Sequence, residues 1–252
     1  MFSNSIIALA IVASCTVAAN TSSCGSPAST PAAGAPGELS LTQKLFLADT
    51  AADRFGLLTD EQFRFPFGDP AKKGQGGKGG DLIAANRKTF PALVGSGSGM
   101  SVGFLGPCGF NTPHVHPRAT ELQIVTQGRL EVEMVPENGV FKVPGNKTSG
   151  RRVIKNSLDT FDMTPFYMGS VHAQYNPDCT EAVFVAAFNS EDAGTGPVLD
   201  ETFQFSANLV SAAFGQAIDG SDVDQFKSQI PASIAMGVEE CLTKCNLKKR
   251  SI

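Results

Sequence analysis

The chain has 252 residues, with 20 Lys+Arg against 24 Asp+Glu and a formal net charge of -4. Hydrophobic residues make up 42% and charged residues 17%, so the chain can bury a sizeable core and does not read as disordered. An acidic pI near 5.4 with no basic block excludes a nucleic-acid binder as the first reading.

Ile6 to Val12 (IIALAIV) is an apolar run, followed by the small residues Val17, Ala18 and Ala19. This pattern predicts a secretory signal over residues 1–19, cleaved after Ala19. The run is too short to span a bilayer, and no later segment reaches that length, so no membrane partner is expected after cleavage. Cleavage would remove Cys15 and leave Cys24, Cys108, Cys179, Cys241 and Cys245. An oxidising compartment permits disulfides, and an odd count leaves one cysteine over. Asn20-Thr21-Ser22 and Asn146-Lys147-Thr148 fit the N-glycosylation pattern.

Residues 20–38 are rich in Ser, Pro, Ala and Gly and read as a flexible leader. A single domain is expected over 39–252. Leu39–Phe55 suits a short helix, and 68–80 (GDPAKKGQGGKGG) reads as a solvated Gly/Lys loop. That loop is not a phosphate loop, because Lys78 is followed by Gly79 rather than Ser or Thr. From 99 to 189 short apolar or alternating runs recur: Met100–Leu105, Leu122–Thr126, Leu130–Val135, Val153–Lys155, Phe161–Thr164, Val171–Tyr175 and Ala182–Phe188. Gly, Pro and Asn separate them, which predicts a sandwich or barrel of short strands. The region 198–246 turns helical. Ala207–Phe214 stops at Gly215, and Asp222 or Asp224 opens a second helix before Pro231. Ser233–Asn246 spaces Ile234, Val238 and Leu242 four apart, as on one helix face. Lys244, Lys248, Lys249 and Arg250 would complement that helix's C-terminus.

All three histidines fall in the strand-rich region. His114 and His116 are two apart, so on a strand both rings face one side. Glu121 follows after a turn, and His172 lies in a later strand. Three imidazoles and one carboxylate suit Mn, Fe, Ni, Cu or Zn and leave two positions of a six-coordinate ion open. An isolated His-x-His is a weak signal, but here Gly109, His114, His116, Glu121 and Gly128 stand in one string (GFNTPHVHPRATELQIVTQG).

That string resembles the first motif of the cupins, and within them the germin-like proteins and spherulins. A second motif, Gly-x5-Pro-x-Gly-x2-His-x3-Asn, is met by Gly169, His172 and Asn176, with Phe161 at its leading glycine and Tyr167 at its proline. The departure bears on the turn geometry rather than on the ligand. Asn176-Pro-Asp-Cys179 and Cys241-x3-Cys245 look closer to spherulins than to plant germins. The resemblance implies an all-β double-sheet jelly roll with flanking helices, manganese as the usual metal, and homo-oligomers. It implies His114, His116, Glu121 and His172 as ligands and a small anion as partner.

In a jelly roll the His114 and His172 strands run antiparallel. Cys108 and Cys179 then meet at one end and are expected to pair. Cys241 and Cys245, one turn apart, would pair at a loosened helix end, or one would capture Cys24. Oxalate-oxidising germins are thought to place two asparagines beside the metal, and the matching positions here are Asn111 and Ser101. Serine lacks the planar amide, so oxalate oxidation is less expected than superoxide removal. Phe104, Phe110, Phe166 and Phe184 read as barrel packing, Tyr167 as a turn filler, Arg118 as a solvated loop charge, and Asn176 as a brace after His172. Three functional readings stand: a secreted Mn-dependent oxidoreductase acting on superoxide, oxygen or a small carboxylate; a non-catalytic structural or encystment-related protein stabilised by metal; and a small-ligand or sugar binder without turnover.

Overall fold

The computed structural model describes residues 37–248 except 70, 73, 75 and 232. The signal segment, most of the leader, Cys15, Asn20, Cys24, Lys249 and Arg250 lie outside the described residues. The strands are β1 (Gly80–Ala85), β2 (Gly99–Leu105), β3 (Gly109–Val115), β4 (Glu121–Gln127), β5 (Leu130–Val135), β6 (Ile154–Leu158), β7 (Met163–Phe166), β8 (Val171–Tyr175), β9 (Ala182–Phe188), β10 (Gly196–Pro197) and β11 (Ile234–Met236). The α-helices are α1 (Leu41–Leu47), α2 (Ala51–Gly56), α3 (Val198–Thr202), α4 (Ala207–Ala213), α5 (Val223–Gln229) and α6 (Glu239–Lys244).

Two antiparallel sheets face each other as a jelly roll. One has the order β1-β2-β9-β4-β7, the other β10-β3-β8-β5-β6, and β11 also pairs with β3. Alternation along each strand decides what faces inward. In β5, Leu130, Val132 and Met134 are buried, while Glu133 is exposed. Leu105, Val125, Leu130, Val132, Phe166, Ala182 and Phe184 fill the interior between the sheets. Fully burying a side chain such as Phe166 or Leu105 contributes about 1.5–3 kcal/mol. The Leu130 end of the barrel is therefore apolar, and the polar centre lies towards the opposite end.

Several expectations are corrected. The helix expected over Leu39–Phe55 is two helices. Ser40 with Gln43, and Thr50 with Asp53, each form a capping box, and the second box starts a new helix. The helix expected over Ser233–Asn246 is half strand: Ile234–Met236 pairs with Asn111–Gly109 of β3, and α6 begins only at Glu239. The edge of β3 needs hydrogen-bond partners, and Gly237 is a poor helix residue, so pairing overrides the four-residue spacing. The Gly/Lys loop is more than solvated linker. A Cβ on Gly77 would fall 1.8 Å from the Ile234 carbonyl oxygen, and one on Gly79 1.8 Å from that of Ala235. These glycines let the loop lie backbone to backbone against β11.

The disulfides are Cys108–Cys241 and Cys179–Cys245, not Cys108–Cys179. The two strand ends do meet, since the Cys108 amide donates to the Asp178 carbonyl at 3.3 Å. However, α6 docks across that end and presents one cysteine per turn, so each strand-end thiol takes a helix partner. Lys244 reinforces the seat by donating to Asp178 at 3.0 Å, and Arg129 grips the same carboxylate. Peptide mapping without reduction should recover these two bonds. Replacing Cys241 and Cys245 together by Ser should cost about 2–4 kcal/mol per bond by the usual scale, read as a lowered Tm. A Cys108–Cys179 peptide would overturn this connectivity.

Phe161 stands at the leading glycine of the second motif, and its φ is +75°. This left-handed conformation costs a non-glycine residue about 1–2 kcal/mol, and the ring is largely exposed, so little packing offsets it. Phe161→Gly should stabilise the protein by about 0.5–1 kcal/mol after glycine's entropic penalty, seen as a Tm rise of about 1–4 °C. An unchanged or lower Tm would contradict the strain.

Candidate metal centre

The centre is assembled from three strands and the residue after one of them. His114 lies in β3 and faces His172 of β8 in register. His116 lies one residue beyond the end of β3, and Glu121 opens β4 in the opposite sheet. The structure brings all four predicted side chains together. One ligand atom of each lies within 4.8 Å of the others. All four residues are buried, Glu121 to 2% exposure.

Each imidazole is held by its Nδ1. Those of His114, His116 and His172 face the backbone oxygens of Thr112, Gly194 and Ser170 at 2.7, 2.6 and 2.9 Å. A carbonyl oxygen only accepts, so each Nδ1 carries a proton and donates it. This fixes the tautomer and turns the Nε2 lone pairs inward. Nε2 of His116 and of His172 then lie 2.9 and 3.2 Å from the same Glu121 oxygen. Lone pairs of nitrogen and carboxylate repel at that distance unless a proton or a cation lies between them. Neighbouring ligands of an octahedral ion bound at about 2.1 Å would sit about 3 Å apart, close to these contacts. The donor set and its orientation therefore fit a divalent transition metal.

Burial pushes the His114 imidazole down to about 3, helped by the nearby His172. His114 is thus neutral near pH 7, as a ligand must be. Burial opposes ionisation of Glu121, and the contacts with His116 and His172 outweigh it and hold the carboxyl down at about 2 only when the facing Nε2 also carries a proton, as in an imidazolium. A buried lone carboxylate would cost several kcal/mol, so the site depends on positive charge from proton or metal.

The surroundings pack the rings. Phe166 stacks on His172 at 4.3 Å, and Phe188 meets His116 edge-on at 4.8 Å. Phe166 thus has a positioning role beyond packing. A cavity of about 250 Å³ opens beside the centre. Ser101 and Asn111 both line it, as does Phe184. Asn176 braces the loop after β8, donating to the carbonyls of Leu105, Gly106 and Thr180. Tyr167 is exposed in the turn before His172. Arg118 is not a free loop charge, since its guanidinium holds the carbonyl and carboxylate of Asp192 at 2.8 and 3.0 Å.

Three contributors escaped the sequence reading. Gly194 holds His116 from 78 residues away, and no local pattern marks it. Gln123 and Gln174 point inward, two residues beyond Glu121 and His172, with side-chain amides that have no protein hydrogen-bond partner. Their i+2 spacing from the site residues was the available signal.

The sequence profile of the Cupin family matches residues 69–219. The chain belongs to the cupin family. Among its relatives, Spherulin-1A of Physarum polycephalum is 32% identical over 205 residues, spanning 81% of this chain and 78% of that protein. Germin-like protein 5-1 of Oryza sativa subsp. japonica is 28% identical over 175 residues, 69% of this chain and 74% of that one. This cupin is thus spherulin-like and germin-like in sequence. Its fold is similar to a recombinant oxalate oxidase solved with glycolate, with a TM-score of 0.53 and 24% identity over 69% of this chain and 80% of that one. Procruciferin, an 11S globulin of Brassica napus, gives a TM-score of 0.57 at 14% identity, covering 67% of this chain and 40% of the globulin.

Acid should destabilise the metal-stripped cupin. His114 is depressed from 6.5 to about 3, so between those values the unfolded chain binds the extra proton. This contribution is full above about pH 7 and is lost as pH falls towards 3. Thermal unfolding of chelated protein should show a flat Tm near pH 7–8 and a falling one below about 6.5, with the slope reduced in His114→Gln. A Tm independent of pH down to about 4 would refute the neutral buried imidazole.

Proposed function

We propose that the mature protein is a secreted cupin that holds one divalent ion, manganese by family preference, on His114, His116, Glu121 and His172. The observation that carries this reading is the three Nδ1–carbonyl clamps, which leave three inward lone pairs beside one carboxylate. When bound, the ion supplies Lewis-acid and redox chemistry. With neutral imidazoles and one carboxylate, a divalent ion keeps a net charge of about +1, which favours a small anionic ligand. Asn111 and Ser101 offer uncharged hydrogen-bonding groups on the cavity wall, while Phe166 and Phe188 exclude water behind the rings. This arrangement supports an oxidoreductase acting on superoxide, oxygen or a small carboxylate. The second reading, a metal-stabilised structural protein, draws on topology: the four residues tie β4 of one sheet to β3 and β8 of the other.

Secretion with cleavage after Ala19, and glycosylation at Asn146, belong to the same proposal. Asn146 is exposed, and its Oδ1 accepts from the Thr148 hydroxyl at 2.7 Å. Among the described residues no helix is long and apolar enough to cross a membrane. A homo-oligomer is supported by the outer face of the first sheet, where Met100, Leu122 and Met163 are exposed and the cross-strand row Met100, Ala187, Leu122 and Pro165 carries no charge.

Metal analysis of protein purified without added metal should give about one ion per chain, and His116→Ala should lower occupancy at least about tenfold. Unchanged occupancy in that variant would sink the assignment. Mn-loaded protein should release little or no hydrogen peroxide from oxalate, because serine replaces an amide at position 101, and should remove superoxide measurably. Robust oxalate turnover abolished by His116→Ala would overturn the first expectation. Silence in both assays with metal bound would favour the structural reading.

A further inference from the structure

We infer that the cavity beside the centre selects a short monocarboxylate with an apolar tail over a dicarboxylate of the same length. The inference rests on the proposed metal centre and names the ligand class for it. One wall of the cavity carries the centre and the uncharged polar side chains of Ser101 and Asn111. A second wall is apolar, made by Leu82, Ala84, Phe184, Ala186 and Phe188, and the uncharged polar side chains Asn86, Ser190 and Thr195 also line the cavity. Phe184 is fixed in this wall by its own sheet. A Cβ on Gly103, directly across from it, would fall 2.2 Å from its ring, so only glycine there leaves the ring its place.

Charge decides between ligand classes. No lysine or arginine lines the cavity among the described residues. The two arginines near the mouth are committed elsewhere. Arg87 and Arg118 hold the two carboxylate oxygens of Asp192 at 2.9 and 3.0 Å. Asp192 itself lines the cavity, and among the described residues it is the only charged side chain there outside the centre. A first carboxylate can meet the centre's positive charge. A second would face apolar carbon, uncharged polar groups or the already paired Asp192, without an uncommitted cation to offset its desolvation. An apolar tail meets neither penalty and gains from burial. The volume of about 250 Å³ limits the tail to a few carbons, below the size that holds a drug-like ligand.

The experiment is calorimetry of acetate, propionate, butyrate and succinate on full-length mature protein, both Mn-loaded and chelator-stripped. Mn electron paramagnetic resonance serves as a second readout of ligation. Affinity should rise about fourfold per methylene from acetate to butyrate. Succinate, with the same carbon count as butyrate, should bind at least about tenfold more weakly. Ala84→Leu shortens the tail space and should lower butyrate affinity about tenfold, with acetate affinity changed by less than about twofold. If that variant misfolds, Leu82→Ala should flatten the same gradient by removing tail contact. Failure to load Mn would overturn the metal assignment. The ligand class is read from the gradient in whichever form binds. A flat gradient, equal binding of succinate, or no butyrate binding to either form would overturn it.

Discussion

Three backbone carbonyls determine how this site works. Each accepts the Nδ1 proton of one histidine, and so each fixes a tautomer that sends an Nε2 lone pair towards Glu121. Without those clamps the rings could rotate or carry the proton on the inner nitrogen, and the four groups would no longer converge as donors. The clamps come from different places: Thr112 and Ser170 each lie two residues before the histidine they hold, whereas Gly194 belongs to a distant loop. The barrel must therefore close correctly before the third ring is set. A buried carboxylate between two imidazoles is tolerable only where a proton or a cation supplies positive charge between them.

The rest of the molecule supports that constraint. Sheet pairing places His114 opposite His172, and the facing sheet brings Glu121 across the interior. The apolar core fills the other end of the barrel, where Cys108 and Cys179 fasten α6. Two disulfides one helical turn apart resist both sliding and rotation of that helix. The polar and the covalently stapled ends are thus separated by packed side chains. Gln123 and Gln174 interrupt the packing just below the centre. Buried amides of this kind are costly unless satisfied, which marks the tier beside the ligand residues as polar by design of the fold rather than as core.

The cavity sets two unlike walls beside the donor set, Ser101 and Asn111 on one and Leu82, Ala84, Phe184, Ala186 and Phe188 on the other. Asp192 and Glu191 with Arg87 and Arg118 form a charge-balanced collar near the mouth, so the entrance does not act as an anion funnel. Function depends on the site rather than on the fold, which is why family membership does not name a substrate.

Much of the site was legible in the sequence, because its signals are local. His114 and His116 lie two apart, Glu121 follows one turn later, and strand alternation sends such residues to a common face. Seven of the strand segments could be read from short apolar or alternating runs, and the helix Val223–Gln229 from its flanking Asp and Pro. What the sequence by itself determined was this set: the donor types, the strand-rich core and the presence of disulfide-competent cysteines. Tertiary structure alone decided the partners. Cys108 and Cys179 end up side by side, yet α6 docks over them and takes both. Ile234 carries helical spacing, yet the open edge of β3 draws it into a strand. Gly194 holds His116 through a carbonyl that every residue possesses, so no side chain announces it. Contacts between distant backbone groups leave no trace in residue type, because their energy depends on where the chain returns and not on what it carries there.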